Sequence, residues 1–394
     1  MPLALLALTL AAFAIGTTEF VIVGLIPTIA ADLGVSLPSA GLLVSLYALG
    51  VAIGAPILTA LTGKVPRKPL LVGLMALFTV GNVVAWLAPG YDTLVIARLL
   101  TGLAHGVFFS VGSIVATSLV PREKAASAIA TMFSGMTVAF VTGIPLGTFI
   151  GQRFGWHSAF LAVSAFGLVA LIGAQLLVPQ NIAHATPAPF SRQLRVLIQP
   201  RLLLVYAMTA VGYGGSLIAF TFLAPILEDI SGFNANMVGL ALLAYGISVA
   251  VGNVWGGRLA DRKGPVVALK IIFGLLAIVL LVLTFTASHK ALVLLTVLAW
   301  GAVAFGSVPA LQVYVVRQAE QVLPDATDVA AGFNISAFNL GVAGGSLAGA
   351  QIVGHLGLGH LPWIAAMVTL GAFGLTTWSG RLDRHAATTQ SAQA

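Results

Sequence analysis

The chain has 394 residues, of which 59% are hydrophobic and only 7% are charged, and its formal net charge is +7. Because a soluble domain carries roughly 25% charged residues, this composition excludes an ordinary soluble enzyme and indicates an integral membrane protein. The sequence contains no cysteine, which excludes disulfides, thiolate metal sites and a cysteine nucleophile.

The basic residues are spread among short loops and form no patch of the kind that binds nucleic acid. If the N-terminus is cytoplasmic, fifteen of the eighteen Lys and Arg residues fall on the cytoplasmic side, two fall on the opposite side and Arg98 lies within a span. The positive-inside rule therefore predicts a multi-pass membrane protein with both termini in the cytoplasm.

Apolar runs long enough to cross the hydrocarbon predict an all-α polytopic membrane protein with twelve transmembrane helices. The predicted spans are 3–30, 38–62, 69–89, 93–119, 125–151, 157–179, 202–227, 235–257, 266–287, 290–316, 326–353 and 361–380. Residues 181–200 are rich in Pro and basic residues, and we interpret them as a cytoplasmic linker with a short interfacial segment. Residues 1–180 and 201–394 then form two bundles of six helices each.

The two halves resemble each other in sequence. A constant shift of 198 residues places Gly16 on Gly214 and Tyr47 on Tyr245, and it also superposes Pro27 on Pro225, Gly41 on Gly239 and Gly54 on Gly252. Since six is an even number, the repeats have parallel topology and are related by an axis along the membrane normal. Transporters that rock two bundles about a central site are built in this way.

The first span contains one acidic residue, Glu19, in an otherwise apolar run. An ionised carboxylate at that depth costs several kcal/mol, so it must protonate, find a partner or line water. We therefore expect Glu19 to bind and release a proton as its access alternates, and the other interpretation is a structural carboxylate with a permanent partner. Its counterpart in the repeat is Leu217, so the symmetry of the fold does not require an acid here.

The fourth span carries Arg98 and, seven residues later, His105. Both lie at depths comparable with that of Glu19, which favours a common vestibule. Arg98 would either favour the ionised form of Glu19 or bind backbone carbonyls and fix helix packing. His105 would either take part in proton transfer or substrate binding, or be a hydrogen-bonded core histidine.

Embedded polar and aromatic side chains are candidates for a substrate site, because a solute cavity combines apolar walls with a few polar groups. Each of these residues could instead serve helix packing, a role that is more common for the phenylalanines. The candidates are Tyr47, Phe109, Tyr245, Asn253, Gln312, Asn334, Phe338 and Asn339.

Several motifs resemble those of the major facilitator superfamily over nearly the whole chain. The loop Gly257–Gly264 matches the family's G-x-x-x-D-R-x-G loop, whereas the corresponding loop of the first half has Gly63 where an acid is expected. Arg98 and Gly102 fit the R-x-x-x-G signature of the fourth helix. The resemblance implies the major facilitator fold.

The segment Gly143–Gly147 is similar to the glycine-proline motif of the family's antiporter branches, which implies export. Thr17–Phe20 with Gly24–Pro27 is similar to bacterial drug:proton antiporters of the sugar-efflux, arabinose-efflux and chloramphenicol-resistance type. The resemblance further implies a charged gating latch of Arg258, Asp261 and Arg262. Gly143, Pro145 and Gly147 would permit bending and close helix contact, either for gating or for packing alone.

Together with the resemblance, the sequence predicts a monomeric secondary transporter of the bacterial inner membrane. Its expected partners are a small-molecule substrate, protons and the lipid bilayer. No cofactor, ATP-binding loop or metal motif is expected. The leading hypothesis is a proton antiporter that exports a sugar or a drug. The alternatives are a facilitator or an uptake carrier of the same fold and, more remotely, a membrane sensor or an intramembrane enzyme.

Overall fold

The computed structural model describes residues 2–62, 65–121, 124–180, 182 and 195–393. All regular structure in these residues is helical, and the helices that matter for the site are given by their bounds. They are α1 (Leu3–Phe20), α2 (Ile26–Leu33), α3 (Leu37–Leu61), α4 (Arg67–Trp86), α5 (Tyr91–Ser118), α6 (Ala125–Val138), α7 (Ile144–Phe154), α8 (Trp156–Leu177), α9 (Pro200–Phe220), α10 (Ala235–Lys263), α11 (Pro265–Thr286), α12 (Lys290–Val322), α13 (Thr327–His355) and α14 (Leu361–Gln393).

Eleven spans among the described residues are long and apolar enough to cross a membrane. Helix α13 corresponds to the eleventh predicted span and is not among those eleven, although it is continuous over 29 residues. It contains buried polar residues such as Asn334 and Ser346, and it packs between α3 of the first half and α9 of the second half. The all-helical polytopic fold is therefore confirmed. Helix α13 differs from the eleven spans in being less apolar; several of its polar residues are buried, whereas Leu340 and Leu347 are exposed.

The first predicted span is wrong in one respect, because residues 3–30 do not form a single helix. Helix α1 ends at Phe20, a 3₁₀ turn covers Val21–Gly24, and α2 begins at Ile26. Pro27 has no N–H to donate to the carbonyl of Val23, and its ring opposes a continuous α-helix through this point. The seventh span has a similar break, with α9 ending at Phe220 and Pro225 following.

The fifth predicted span, residues 125–151, is likewise divided. A π-helical turn over Ala139–Gly143 separates α6 from α7, and Pro145 lies in the first turn of α7. Such turns are rare and accommodate a break in the regular hydrogen-bond pattern. The linker segment 183–194, as well as Gly63 and Lys64 of the first-half loop, lie outside the described residues.

Apolar side chains are buried in three clusters, and their arrangement shows how the halves meet. One cluster, on the side of the membrane away from the termini, contains residues of both halves, such as Leu43 and Leu242. The other two lie toward the termini and belong to one half each, with Phe108 in the first and Leu311 in the second. We call the side away from the termini the distal side. Among the described residues, the halves share a buried core on the distal side, and these packed apolar side chains close that side.

Glycines permit the closest helix contacts. A Cβ atom on Gly256 of α10 would overlap the backbone of Gly306 of α12, whereas a Cβ atom on Gly239 of the same helix would meet nothing within 4 Å. Small residues have this function in membrane helices, where association depends on close packing.

We expect Gly256→Ala to lower the free energy of unfolding by about 1–3 kcal/mol relative to Gly239→Ala, because overpacking costs about that much. Both variants gain the same helix propensity, so Gly239→Ala is the matched control. Thermal unfolding in detergent micelles measures the difference. Equal stability of the two variants would contradict the close contact between α10 and α12.

Candidate functional site

The end of α1 is the centre of the site, because its last carbonyl groups lack the helical donors that a continuous helix would provide. Arg98 of α5 supplies donors in their place: its Nη1 donates to the carbonyl of Thr18 at 2.6 Å and its Nη2 donates to the carbonyl of Glu19 at 3.1 Å. Its Nε donates to the carbonyl of Leu43 on α3 at 3.3 Å. One guanidinium group thus joins α1, α3 and α5 at the break.

Arg98 is almost fully buried, and its guanidinium carbon lies 4.1 Å from the ring centroid of Tyr47. A cation over an aromatic ring at this distance is favourable when it is shielded from water. Within the described chain, no ion pair joins Arg98 to the carboxylate of Glu19. The geometry therefore matches the interpretation in which Arg98 binds backbone carbonyls.

The Glu19 side chain lies at the same break and is only 4% exposed. Its Oε2 atom is 3.8 Å from Nδ1 of His105 and has no hydrogen-bond partner among the described residues. A separation of 3.8 Å is longer than a hydrogen bond, so the carboxylate is near the imidazole without being held by it. His105 contacts Tyr47 instead, with Nδ1 at 3.0 Å from the hydroxyl oxygen.

We call Glu19, Tyr47, Arg98 and His105 the carboxylate cluster. The structure thus brings together the three residues that the sequence assigned to proton coupling, and it adds Tyr47, which the sequence assigned to substrate binding. The ring of Phe109 packs edge-on against His105, with centroids 5.1 Å apart. Phe109 therefore forms one wall of this cluster.

The second half has no counterpart of the carboxylate cluster. A Cβ on Gly102 would approach the Tyr47 carbonyl, and one on Gly301 would approach the Tyr245 carbonyl. The tyrosines are related by a shift of 198 residues and the glycines by a shift of 199. The shift of 199 places Val297 and Ala304 at the positions of Arg98 and His105. Among the described residues, a buried acid, arginine and histidine are thus confined to one half of a symmetric framework.

Aromatic residues occupy the corresponding region of the second half. Tyr245 stacks on Phe220 with centroids 4.7 Å apart, and it contacts Trp300 edge-on at 5.7 Å. Tyr213 contacts both Phe305 and Phe338, at 5.7 Å and 5.2 Å. We call this set, Tyr213, Phe220, Tyr245, Trp300, Phe305 and Phe338, the aromatic cluster.

Two phenylalanines of the first half connect the clusters. Phe20, the residue after Glu19, lies 4.8 Å from Phe140, and Phe140 lies 4.7 Å from Phe305. Aromatic contacts therefore run from the residue next to Glu19 into the aromatic cluster. A solute that stacks on these rings would lie within reach of both halves.

The amide candidates fall into two groups. Asn334 is fully buried and its hydrogen bonds are made within the protein, since Nδ2 donates to Gln312 Oε1 at 3.0 Å and Oδ1 accepts from Thr209 at 2.7 Å. Asn339 differs, because its Oδ1 is buried without a partner among the described residues. Asn253 is half-buried on α10. Among the amide candidates in the described chain, Asn339 is therefore the one whose buried acceptor lacks a partner, and a solute could satisfy it.

The glycine-proline segment packs against α1, and the same stretch of helix also contacts α10 of the second half. A Cβ atom on Gly143 would collide with the Thr17 hydroxyl, and one on Gly147 would lie 2.6 Å from Cγ2 of Val21. Pro145 lies between these contacts, just after the π-helical turn. The segment therefore packs closely on the residues that flank Glu19.

The predicted gating loop is wrong in one respect: Arg258, Asp261 and Arg262 lie in the last turns of α10, which continues to Lys263, and all three are exposed. Within the part of the chain that the structure describes, no ion pair joins Asp261 to either arginine. Among the same residues no group of three His, Asp or Glu side chains could hold a metal ion.

Sequence reasoning missed Tyr213 and Trp300 of the aromatic cluster, and it missed the Thr18–Asn82 hydrogen bond of 2.7 Å beside Glu19. Trp300 donates from Nε1 to the Ser216 hydroxyl at 2.7 Å. A signal was present, because the polar tips of embedded Tyr and Trp residues need partners.

Comparisons with known proteins agree with this architecture. The family model described as the Major Facilitator Superfamily matches residues 8–323. The chain is 50% identical to the uncharacterized MFS-type transporter YtbD of Bacillus subtilis, over 97% of this chain and 96% of YtbD. It is 41% identical to the inner membrane transport protein YdhP of Escherichia coli K12 (87% and 86% covered) and 34% identical to a chloramphenicol resistance protein of Streptomyces lividans (88% of each).

A solved structure has the same fold. It is a bacterial homologue of the human lysosomal transporter Spinster, in an inward-facing and unoccupied conformation. The TM-score is 0.69 at 16% identity, with 95% of this chain and 94% of that chain covered.

We expect Arg98→Met to lower the free energy of unfolding by roughly 3–9 kcal/mol, because three buried carbonyls would lose their donors at roughly 1–3 kcal/mol each. Arg153→Met, which removes an exposed arginine on the distal side, should have little effect. Thermal unfolding in detergent micelles distinguishes the two. If Arg98→Met were as stable as Arg153→Met, the carbonyl contacts would not hold the break of α1 together.

Proposed function

Because the chain belongs to the major facilitator superfamily, and so transports small solutes across a membrane and is not an enzyme, we propose that it is a proton-coupled exporter. Its solute would be a small neutral or amphiphilic molecule such as a sugar or a drug. It would exchange this solute for protons across the bacterial inner membrane.

The observation that carries this proposal is the state of Glu19. It is a buried carboxylate whose Oε2 has no hydrogen-bond partner among the described residues, and the nearby Arg98 is engaged with backbone carbonyls. An ionised group in this position costs several kcal/mol, and protonation removes that cost. Glu19 is thus suited to gain and lose a proton when its access to water changes.

The surroundings of Glu19 support coupling to a structural change. Arg98 and His105 of α5 both lie beside Glu19, so a change of charge on the carboxylate alters the attraction between α1 and α5. Glu19 lies at the break of α1, and its neighbours Thr17 and Val21 pack closely on the Gly143–Gly147 segment. A proton could therefore shift the position of α1 relative to both neighbours.

The sealed distal side supports a direction of loading. In this conformation a solute would reach the clusters from the side of the termini, which the distribution of basic residues predicts to be the cytoplasm. Release would follow on the distal side, with a proton bound to Glu19 during the return. The similarity to a chloramphenicol resistance protein supports export over uptake.

The aromatic cluster and Asn339 support the proposed class of solute. Rings such as Phe338 and Tyr213 stack on aromatic drugs or on the apolar face of a sugar, and Oδ1 of Asn339 accepts a hydrogen bond from a hydroxyl or amine. A growth-protection screen of cells that express the chain, with chloramphenicol and toxic sugar analogues as probes, would select between sugars and drugs.

We expect Glu19→Gln to abolish pH-driven transport, since glutamine keeps the shape of the side chain but binds no proton. The control is Glu320→Gln, the same chemical change at an exposed position of α12. Both are compared with the unchanged chain in proteoliposomes, with the solute from the growth screen and an imposed pH gradient.

Three outcomes of that assay differ in meaning. Loss of accumulation in Glu19→Gln alone supports proton antiport. Accumulation in Glu19→Gln equal to that of the unchanged chain refutes the role of Glu19. Equilibration of solute with no accumulation in any chain, including the unchanged one, identifies a facilitator.

We further expect Asn339→Leu to raise the KM for the solute about tenfold, because a lost hydrogen bond to a buried acceptor costs roughly 1–2 kcal/mol. Asn334→Leu, five residues earlier on the same helix, should instead lower thermal stability, since it breaks bonds to Gln312 and Thr209. Transport kinetics and thermal unfolding of both variants test this contrast. An unchanged KM for Asn339→Leu would remove it from the solute site.

A further inference from the structure

Helix α10 carries a stripe of exposed side chains that points away from the rest of the protein. Its members recur at helical spacing and change from apolar to basic toward the termini: Leu240, Ile247, Val251, Val254, Arg258 and Arg262. On the other side of α10, Gly246 contacts Phe140 of the first half. Arg262 lies about 160° from Gly246 around the helix axis. The stripe therefore faces the membrane.

An open groove of about 630 Å³, lined by residues of α10 alone, lies along the lower part of this stripe. Its lining is apolar at one end, with Val251, Val254 and Trp255, and basic at the other, with Arg258 and Arg262. From Val251 to Arg262 the helix rises about 16 Å, close to the roughly 15 Å of hydrocarbon in one leaflet. The groove thus matches one leaflet in length and in the order of its polarity.

The charge of the groove selects among possible occupants. Two exposed arginines at the level of the headgroups attract phosphate, and arginine pairs with phosphate through two parallel hydrogen bonds. Asp261 is the acidic residue beside them on α10, and the two arginines outnumber it. Trp255, 37% exposed, lies at the depth where aromatic rings favour the boundary between acyl chains and headgroups.

We propose that this groove binds an anionic phospholipid of the leaflet on the side of the termini. Its phosphate lies between Arg258 and Arg262, and an acyl chain runs along Val254 and Val251. The site is separate from the carboxylate and aromatic clusters, and the proposal does not depend on proton coupling or on export.

The test uses the full chain in vesicles of phosphatidylcholine with and without phosphatidylglycerol, followed by native mass spectrometry of the lipid retained after extraction. We expect selective retention of phosphatidylglycerol. The double variant Arg258→Gln/Arg262→Gln should bind it about 30-fold more weakly, since each basic residue near an anionic surface contributes roughly fivefold.

The matched control is Lys263→Gln/Lys270→Gln, which removes two charges from the same side of the membrane without altering the groove. Thermal unfolding is measured to check that both double variants are folded. Retention of phosphatidylglycerol by the control but not by the arginine variant supports the site.

Each of four results would overturn the proposal. These are equal retention of the two lipids, equal loss in the control, displacement of the lipid by soluble glycerol phosphate, and a dimer of the chain with no lipid bound. The third would identify a site for free phosphate, and the fourth would assign the groove to a second copy.

Discussion

The hydrogen bonds from Arg98 to the carbonyls of Thr18 and Glu19 are the constraint on which the site depends. A helix that ends inside a membrane leaves carbonyl groups without donors, at a cost of several kcal/mol each in hydrocarbon. The guanidinium of α5 removes that cost and keeps α1 broken beside Glu19. Because the arginine is occupied by the backbone, the carboxylate is left without a fixed cation, which is the condition that reversible protonation requires.

The rest of the first half is arranged around this break. Tyr47 covers the guanidinium with its ring and contacts His105 with its hydroxyl, so one side chain meets both basic residues. The glycines of α7 bring a second broken helix against Thr17 and Val21. Two interrupted helices thus pack against each other at the level of Glu19, where small shifts of backbone need not disrupt regular hydrogen bonding.

Sequence patterns predicted the number and order of helices because each span is a long apolar run, and they identified Glu19, Arg98 and His105 because charge is conspicuous in such runs. They did not predict the break of α1. Pro27 lies in the predicted span, but a proline can bend a helix without ending it. Nor could they separate Asn334 from Asn339: the partners of Asn334 come from Thr209 and Gln312, which are distant in sequence. The hydrogen bonds from Arg98 to backbone carbonyls could not be predicted for a related reason. Every residue has a backbone carbonyl, so the sequence does not show which carbonyls accept these bonds.

The asymmetry between the halves has a consequence for how such a chain evolves. The two halves share one framework, and among the described residues the buried Glu, Arg and His side chains lie in the first half, whereas the second presents aromatic rings. If, as proposed, Glu19 couples transport to protons and the aromatic cluster binds the solute, substitutions at Phe305 or Phe338 would change the range of compounds carried and leave the proton-coupling residues unaltered. Resistance to new compounds would then arise from few mutational steps, all in the second half of the repeat.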